Sequence, residues 1–340
     1  MRHSNLVLDP SQPLPPTRDS AAGASVPKSL PPPNEVKVAP LGVGGENAAI
    51  YFVGTATTIL EWEGIRIMTD PNFLHAGDHV HLGPGVQGTR QTNPAIELSQ
   101  LPRIDAVLLS HYHADHFDQD VEASLRRSLP IVTTPHAKRH LTTKPASESF
   151  THVFDLDFFD SMFLDVKRPA EQGRVPAIKV TGMPGKHVPP GPAGALKAVN
   201  ELLQAVPPTN GWMLDIGYRN TVEDEAIYIS GDTLLVDELE EIPERYRDQN
   251  IDLMLIHLGG TTIPGPKMPL LMVTMDANQG IELMRLINPD MTIPIHYDDY
   301  DVFLSPLSDF KKAVDEAGLS NKVTYLDRKD QFKFLVKHQL

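Results

Sequence analysis

Residues 111–116 read His-Tyr-His-Ala-Asp-His, four ligand-type side chains in six positions. The apolar run Ile104–Ser110 leads directly into them. In extended backbone, residues two apart point the same way, so His111 and His113 can reach one cation together. Asp115 and His116 lie beyond a turn and can reach a second. A polar loop with incidental histidines is the bland alternative. It is disfavoured because four such residues so close together have no packing role.

One loop cannot fill a metal site, and further ligand types follow other apolar runs. His187 comes just after Ala177–Thr181, Asp232 follows the run Ala226–Ser230 beside Gly231, and His296 ends Met291–Ile295. A mouth assembled from strand ends requires this placement. The chain has no cysteine, so thiolate sites and disulfides are excluded. An all-nitrogen-and-oxygen donor set suits zinc and admits manganese or iron.

Other histidines carry weaker signals. His75, His79 and His81 share a loop after Asp70. They are expected to contact substrate, with a third metal as the lesser reading. His257 ends a strand-like run; it either approaches the mouth or is a core histidine with its hydrogen bonds satisfied. Tyr297 either donates to a developing oxyanion or simply packs.

The elements that must position these groups are short. Runs such as Ala49–Val53, Thr57–Trp62, Ile65–Thr69, Gly211–Tyr218 and Lys322–Asp327 are β-branched or apolar and bounded by Gly, Pro or Asp, as strands are. Helical periodicity appears over Gln119–Leu129, Gly194–Val206, Leu235–Arg247, Ala277–Ile287 and Leu307–Ala317. Asp118, Asp276 and Ser305 are candidate N-caps, the last with Pro306 at the first helical position. The apolar stripe of Gly194–Val206 is expected to pack on a sheet; a lid or a homo-oligomer contact is the alternative. This order of elements fits two mixed sheets with helices outside.

Residues 1–40 contain nine of the 31 prolines and no period. They are expected to be a disordered or loosely docked tail before a domain spanning 41–340. The chain has 340 residues and a formal charge of −14, which argues against a nucleic-acid partner. No run approaches the ~18 apolar residues of a membrane helix, and no secretory leader is visible, so a cytoplasmic location is expected.

The chain resembles the metallo-β-lactamase-fold hydrolases from about Ala49 to Asp327. His111–His116 matches the H-x-H-x-D-H signature of that family. The segments Gly185–His187, Ser230–Thr233 and Ile293–Tyr297 match its later ligand motifs, and Ile67–Pro71 its first acidic motif. Residues 69–118 look most like the branch containing N-acylphosphatidylethanolamine phospholipase D and ascorbate-6-phosphate lactonase. The resemblance implies an α/β fold, an αβ/βα sandwich of two mixed sheets with outer helices.

It also implies a dinuclear site. His111, His113 and His187 would hold one metal, and Asp115, His116 and His296 the other. Asp232 would bridge them, and Asp70 would orient a ligand histidine; a turn role before Pro71 is the alternative for Asp70. Two divalent cations about 3.5–4 Å apart can share a hydroxide at neutral pH. Asp115 and Asp232 are then the candidate catalytic carboxylates. The expected activity is metal-dependent hydrolysis of a small-molecule lactone, ester or amide, with zinc favoured. A phosphodiesterase of the phospholipase D-like kind is the alternative enzyme. A non-catalytic metal-binding protein is the alternative of another class, disfavoured because a structural site normally closes with four ligands.

Overall fold

The computed structural model describes residues 5–11, 17–18, 26–40, 43–83, 85–168, 175–189, 200, 206–219, 225–265 and 267–337. Two large mixed sheets face each other. In spatial order the first has strands Asn5–Leu8, Ser161–Val166, Pro176–Met183, Gly211–Tyr218, Glu225–Ile229, Leu253–His257 and Met291–Ile295. The second runs Val153–Asp155, Ile131–Thr133, Ala106–Leu108, Ile65–Thr69, Thr57–Trp62, Ala48–Gly54, Gln331–Phe334 and Val36–Val38.

Period-two alternation divides the apolar residues between faces. Ile50, Phe52, Leu60, Trp62, Ile227, Ile229 and Leu255 fill the space between the sheets. Their neighbours Tyr51, Val53 and Ile59 point outward under the helices Gln119–Ser124 and Pro135–Thr142. On the other side Tyr228, Met254 and Ile256 pack beneath the helices Ala277–Ile287 and Leu307–Ala317. The expected architecture, two mixed sheets with helices outside, is therefore observed. No helix among the described residues is long and apolar enough to cross a membrane.

Some element boundaries differ from expectation. Gln119–Leu129 is helical only to Ser124, because Leu125 turns extended and bridges to Arg18. Leu235–Arg247 splits into a 3-10 turn at Asp237–Glu240 and a short helix at Glu241–Arg245. Pro243 explains the split, since it lacks the N–H that a longer helix would need there. Lys322–Asp327 is not a strand: only Val323 bridges, to Thr292. Asp118 and Asp276 cap as expected. Ser305 does not; Pro306 is the N-cap, and the Leu307 N–H donates to Asp298 at 3.2 Å. The Ser305 hydroxyl instead accepts from Ala277 N–H at 3.0 Å.

Within residues 1–40, Asn5–Leu8 pairs in parallel with Ser161–Val166, and Val36–Val38 with Gln331–Phe334. Thr17 is buried and donates to the Pro102 carbonyl at 2.8 Å. The helix expected at 194–206 lies outside the described residues apart from Asn200 and Val206.

Candidate metal centre

The sheets deliver their ligand types to one edge. Ala106–Leu108 leads to His111–His116, and Ile65–Thr69 ends at Asp70. Pro176–Met183, Glu225–Ile229, Leu253–His257 and Met291–Ile295 lead to His187, Asp232, His257 and His296. Gly231 makes the turn before Asp232 with φ +67°, and a Cβ there would meet the Asn210 carbonyl at 2.4 Å. Only glycine fits that close approach.

The seven ligand candidates fall into two sets. One atom each of His111, His113 and His187 lies within 4.8 Å of the others, and the same holds for Asp115, His116, Asp232 and His296. Asp232, expected between the sets, groups with the second. A third grouping joins Asp70, His116 and His257. All these residues are buried except His113, which is partly exposed.

Hydrogen bonds fix which ring nitrogens carry protons. His187 Nδ1 meets the Val273 carbonyl at 2.5 Å, and His296 Nδ1 meets that of Leu258 at 2.9 Å. His116 Nδ1 lies 3.3 Å from Asp70 Oδ2. Each Nδ1 therefore donates, and each Nε2 is left with a lone pair. The Nε2 atoms of His116 and His296 then face each other at 3.2 Å. Asp232 Oδ2 lies 3.1 and 3.4 Å from them, and Asp115 Oδ2 3.8 and 3.7 Å. In that tautomer four acceptors converge on one point, and the pocket calls for positive charge there, a divalent cation or, without one, a proton on His116. His111 Nε2 and His113 Nε2 are also buried without hydrogen-bond partners, while His113 Nδ1 lies 3.0 Å from Asp115 Oδ1. The donor set thus fits divalent cations in both places.

The electrostatics agree. Burial alone would depress His116, but Asp232, Asp115 and Asp70 outweigh it and hold its pKa well above the ordinary value. Burial, then the neighbouring His116 and His187, pushes His111 well below. Burial also takes His187 down to about 4. Burial would raise Asp232, yet His296 and His116 keep it well below the usual carboxylate range. The four-residue set attracts positive charge, whereas the three-histidine set offers neutral lone pairs.

A ring of buried groups holds these side chains. Asp70 accepts from Ser110 N–H at 2.7 Å, and Asp232 Oδ1 accepts from His257 Nδ1 at 2.9 Å. The Thr274 hydroxyl donates to Asp232 Oδ2 at 3.3 Å. Thr55, Asp70 and His296 have φ of 49°, 35° and 61°. Left-handed backbone at such residues costs of order 1–3 kcal/mol each and persists only where the surroundings impose it.

The weaker candidates sort by position. His257 is fully buried and serves Asp232. Tyr297 is buried, with its hydroxyl donating to the Leu326 carbonyl at 3.0 Å. His75 is half-buried and meets Glu97 at 3.1 Å; His79 and His81 are exposed on the hairpin His79–His81/Gln87–Thr89. Apolar residues of that hairpin, Val80, Leu82 and Val86, pack with Phe303, whose ring lies 4.5 Å from that of His296. Thr55, Asn72, Arg90, Thr274 and Asp299 surround the site without having been singled out from the sequence. Asn72 and Arg90 lie within the stretch that carried the branch resemblance, but their residue types gave no metal-binding signal.

Residues 65–297 match the family profile described as "Beta-lactamase superfamily domain". A UPF0173 metal-dependent hydrolase of Salinibacter ruber is 24% identical over 282 residues, which cover 81% of this chain and 95% of that protein. The isothiocyanate hydrolase from Delia radicum gut bacteria superposes with a TM-score of 0.63 at 16% identity, covering 83% of this chain and 97% of that one. A metallo hydrolase from Ignicoccus hospitalis superposes at 0.55 with 19% identity, covering 85% and 99%.

Proposed function

The chain belongs to the beta-lactamase superfamily, and from that premise we propose that it is a hydrolase dependent on two divalent metal ions, zinc first, manganese or iron second. Its substrate is a small molecule with a lactone, ester or amide bond. The observation that carries this reading is the convergence of buried nitrogen and oxygen atoms from Asp115, His116, Asp232 and His296 beside the set from His111, His113 and His187. When bound, such ions supply a water acidified toward neutral pH and a Lewis acid for the substrate oxygen.

The chain's own residues do the rest. His111, His113 and His187 would hold one ion and Asp115, His116 and His296 the other, with Asp232, which groups with the second set, the carboxylate that could serve both. Asp70, the Leu258 carbonyl and the Val273 carbonyl lock the imidazoles in the tautomer that leaves Nε2 free. His257 and Thr274 aim the two oxygens of Asp232. A hollow of ≈ 420 Å³ beside His187, walled by Phe158, Val188, Val206, Pro207 and His136, offers room for a small molecule. Tyr297 enters as a packing residue. His75, His79 and His81 are proposed to contact incoming substrate, a role that their solvent-accessible side chains permit.

The test is a hydrolysis panel of lactones, esters, amides and phosphodiesters on metal-loaded protein, with metal counted by elemental analysis. Two ions per chain and turnover of a carbonyl substrate are expected. Turnover of phosphodiesters alone would move the assignment to the phospholipase D-like reading; one ion or none would overturn the dinuclear one.

A further inference from the structure

We propose that Arg90 is a positioning residue for one half of the site, the Asp115–His116–His296 half, and that the second metal depends on it. This rests on the two-metal reading above. Arg90 is 1% exposed and among the largest fully buried side chains. Burying a guanidinium is costly unless its fork is used in full. Here Nε donates to the Thr92 carbonyl at 3.0 Å, and Nη1 donates to Asn72 Oδ1 at 3.1 Å and to the Thr55 hydroxyl. Nη2 has no hydrogen-bond partner and lies 3.9 Å from Asp299 Oδ1.

Two arms run from this fork to the metal side. In the first, Asn72 is held through its oxygen. Its NH2 then donates to the Asp115 carbonyl at 2.9 Å and to the Tyr300 hydroxyl at 2.7 Å. In the second, Thr55 is gripped from two directions, by Arg90 at its hydroxyl and by Asp299 Oδ2 at its N–H, 2.6 Å away. The Thr55 carbonyl in turn accepts the N–H of His296 at 2.7 Å. Thr55 and His296 are the two left-handed residues on this path. The clamp therefore imposes the backbone conformation that turns the His296 ring into the site.

Two residues of the three-histidine half are tied elsewhere, and His113 reaches Asp115 through its side chain rather than through the carbonyl that Asn72 holds. His111 Nδ1 meets the Ser110 hydroxyl at 2.9 Å, and His187 Nδ1 meets the Val273 carbonyl. Loss of the clamp should consequently be selective. A lysine keeps the charge but cannot reach Thr55, Asn72 and Thr92 together.

The experiment strips full-length wild type, Arg90→Lys and Asn72→Asp with chelator, checks folding by circular dichroism, and titrates each with zinc and with cobalt(II). Asn72→Asp preserves the acceptor for Arg90 and replaces the NH2 that holds the Asp115 carbonyl and the Tyr300 hydroxyl with a carboxylate oxygen, so it tests the same arm with little change in shape. Wild type should bind two ions. Both variants should bind one ion with unchanged affinity and the second at least ~10-fold more weakly, the scale on which supporting groups tune metal affinity. Adding His187→Ala to Arg90→Lys should remove the ion that remains. If wild type binds two ions and the folded variants lose both equally, or neither, the role of Arg90 is overturned. A wild type that binds fewer than two overturns the two-metal reading itself, and this role with it.

Discussion

The parallel strands Glu225–Ile229, Leu253–His257 and Met291–Ile295 carry charge at both ends, and the ends behave differently. At their starts stand Glu225, Asp252 and Asp290, bordering a hollow of ≈ 260 Å³ with Lys337. At their finishes stand Asp232, His257 and His296. The starting carboxylates relieve each other through neutral donors. The Asn250 amide reaches Asp252 at 2.9 Å and Asp290 at 2.8 Å, and Ala226 N–H meets Asp252 at 2.9 Å. Glu225, pushed up to about 8 by burial and then by Asp252, relieves the rest by holding a proton. At the finishing end the carboxylates face the Nε2 edges of imidazoles whose Nδ1 atoms are tied behind. Carboxylates alone do not make a candidate metal site; carboxylates opposed by inward imidazole Nε2 edges do.

Metal loading should separate the two ends most. Chelator-stripped protein titrated with zinc to a free concentration ~1,000-fold above Kd should gain about 4 kcal/mol, since only the folded state offers the assembled donors. Scanning calorimetry would read this as a rise in Tm of several degrees. Identical melting with and without metal would erase the contrast.

Asp232→Asn comes next. The amide keeps size but offers only one oxygen, and its nitrogen has no lone pair for a cation. Turnover should fall at least ~100-fold, mainly in kcat, with weaker metal binding. A variant that keeps two ions and near-normal kcat would show that Asp232 is no more special than Asp252.

The smallest effect belongs to the opposite end. Glu225 has its pKa raised from 4.5 to about 8 on folding. Its favourable contribution is therefore present below pH 4.5 and lost as pH climbs through about 8. Glu225→Gln should match the parent near pH 4 and exceed it at pH 9 by about 1 kcal/mol, a figure reduced for solvent screening. Denaturant unfolding at the two pH values measures this. A stability difference independent of pH would refute it, and activity should be unchanged throughout.

Much of this arrangement was legible from local signals. Ala277–Ile287 and Leu307–Ala317 matched their periodicity because a single apolar stripe and an αL residue at the C-cap define each. His111–His116 was legible because ligand spacing in one loop is a local property. Lys322–Asp327 misled because β-branched composition cannot report that the chain has only one bridging partner there. The clamp around Arg90 was invisible for a different reason. Thr55, Arg90 and Asp299 are common residue types, and the contacts linking them span 35 and 244 positions. The strain they hold in Thr55 and His296 leaves no trace in composition.

The pairing of Asn5–Leu8 with Ser161–Val166, and of Val36–Val38 with Gln331–Phe334, has a consequence for synthesis. Each early strand leaves the ribosome long before its partner exists. At ~5–20 residues per second, Val38 waits roughly 15–60 s for Gln331. Asn5–Leu8 can pair once Val166 is made, but the Val36–Val38 border cannot be sealed until the late segment arrives, and Ala48–Gly54 likewise lacks one of its neighbours until then. The nascent chain thus presents open strand edges for most of its production, the interval in which edge-to-edge association is easiest. Translation that stalls before residue 331 would leave the eight-stranded sheet unclosed even with every metal-site residue already made.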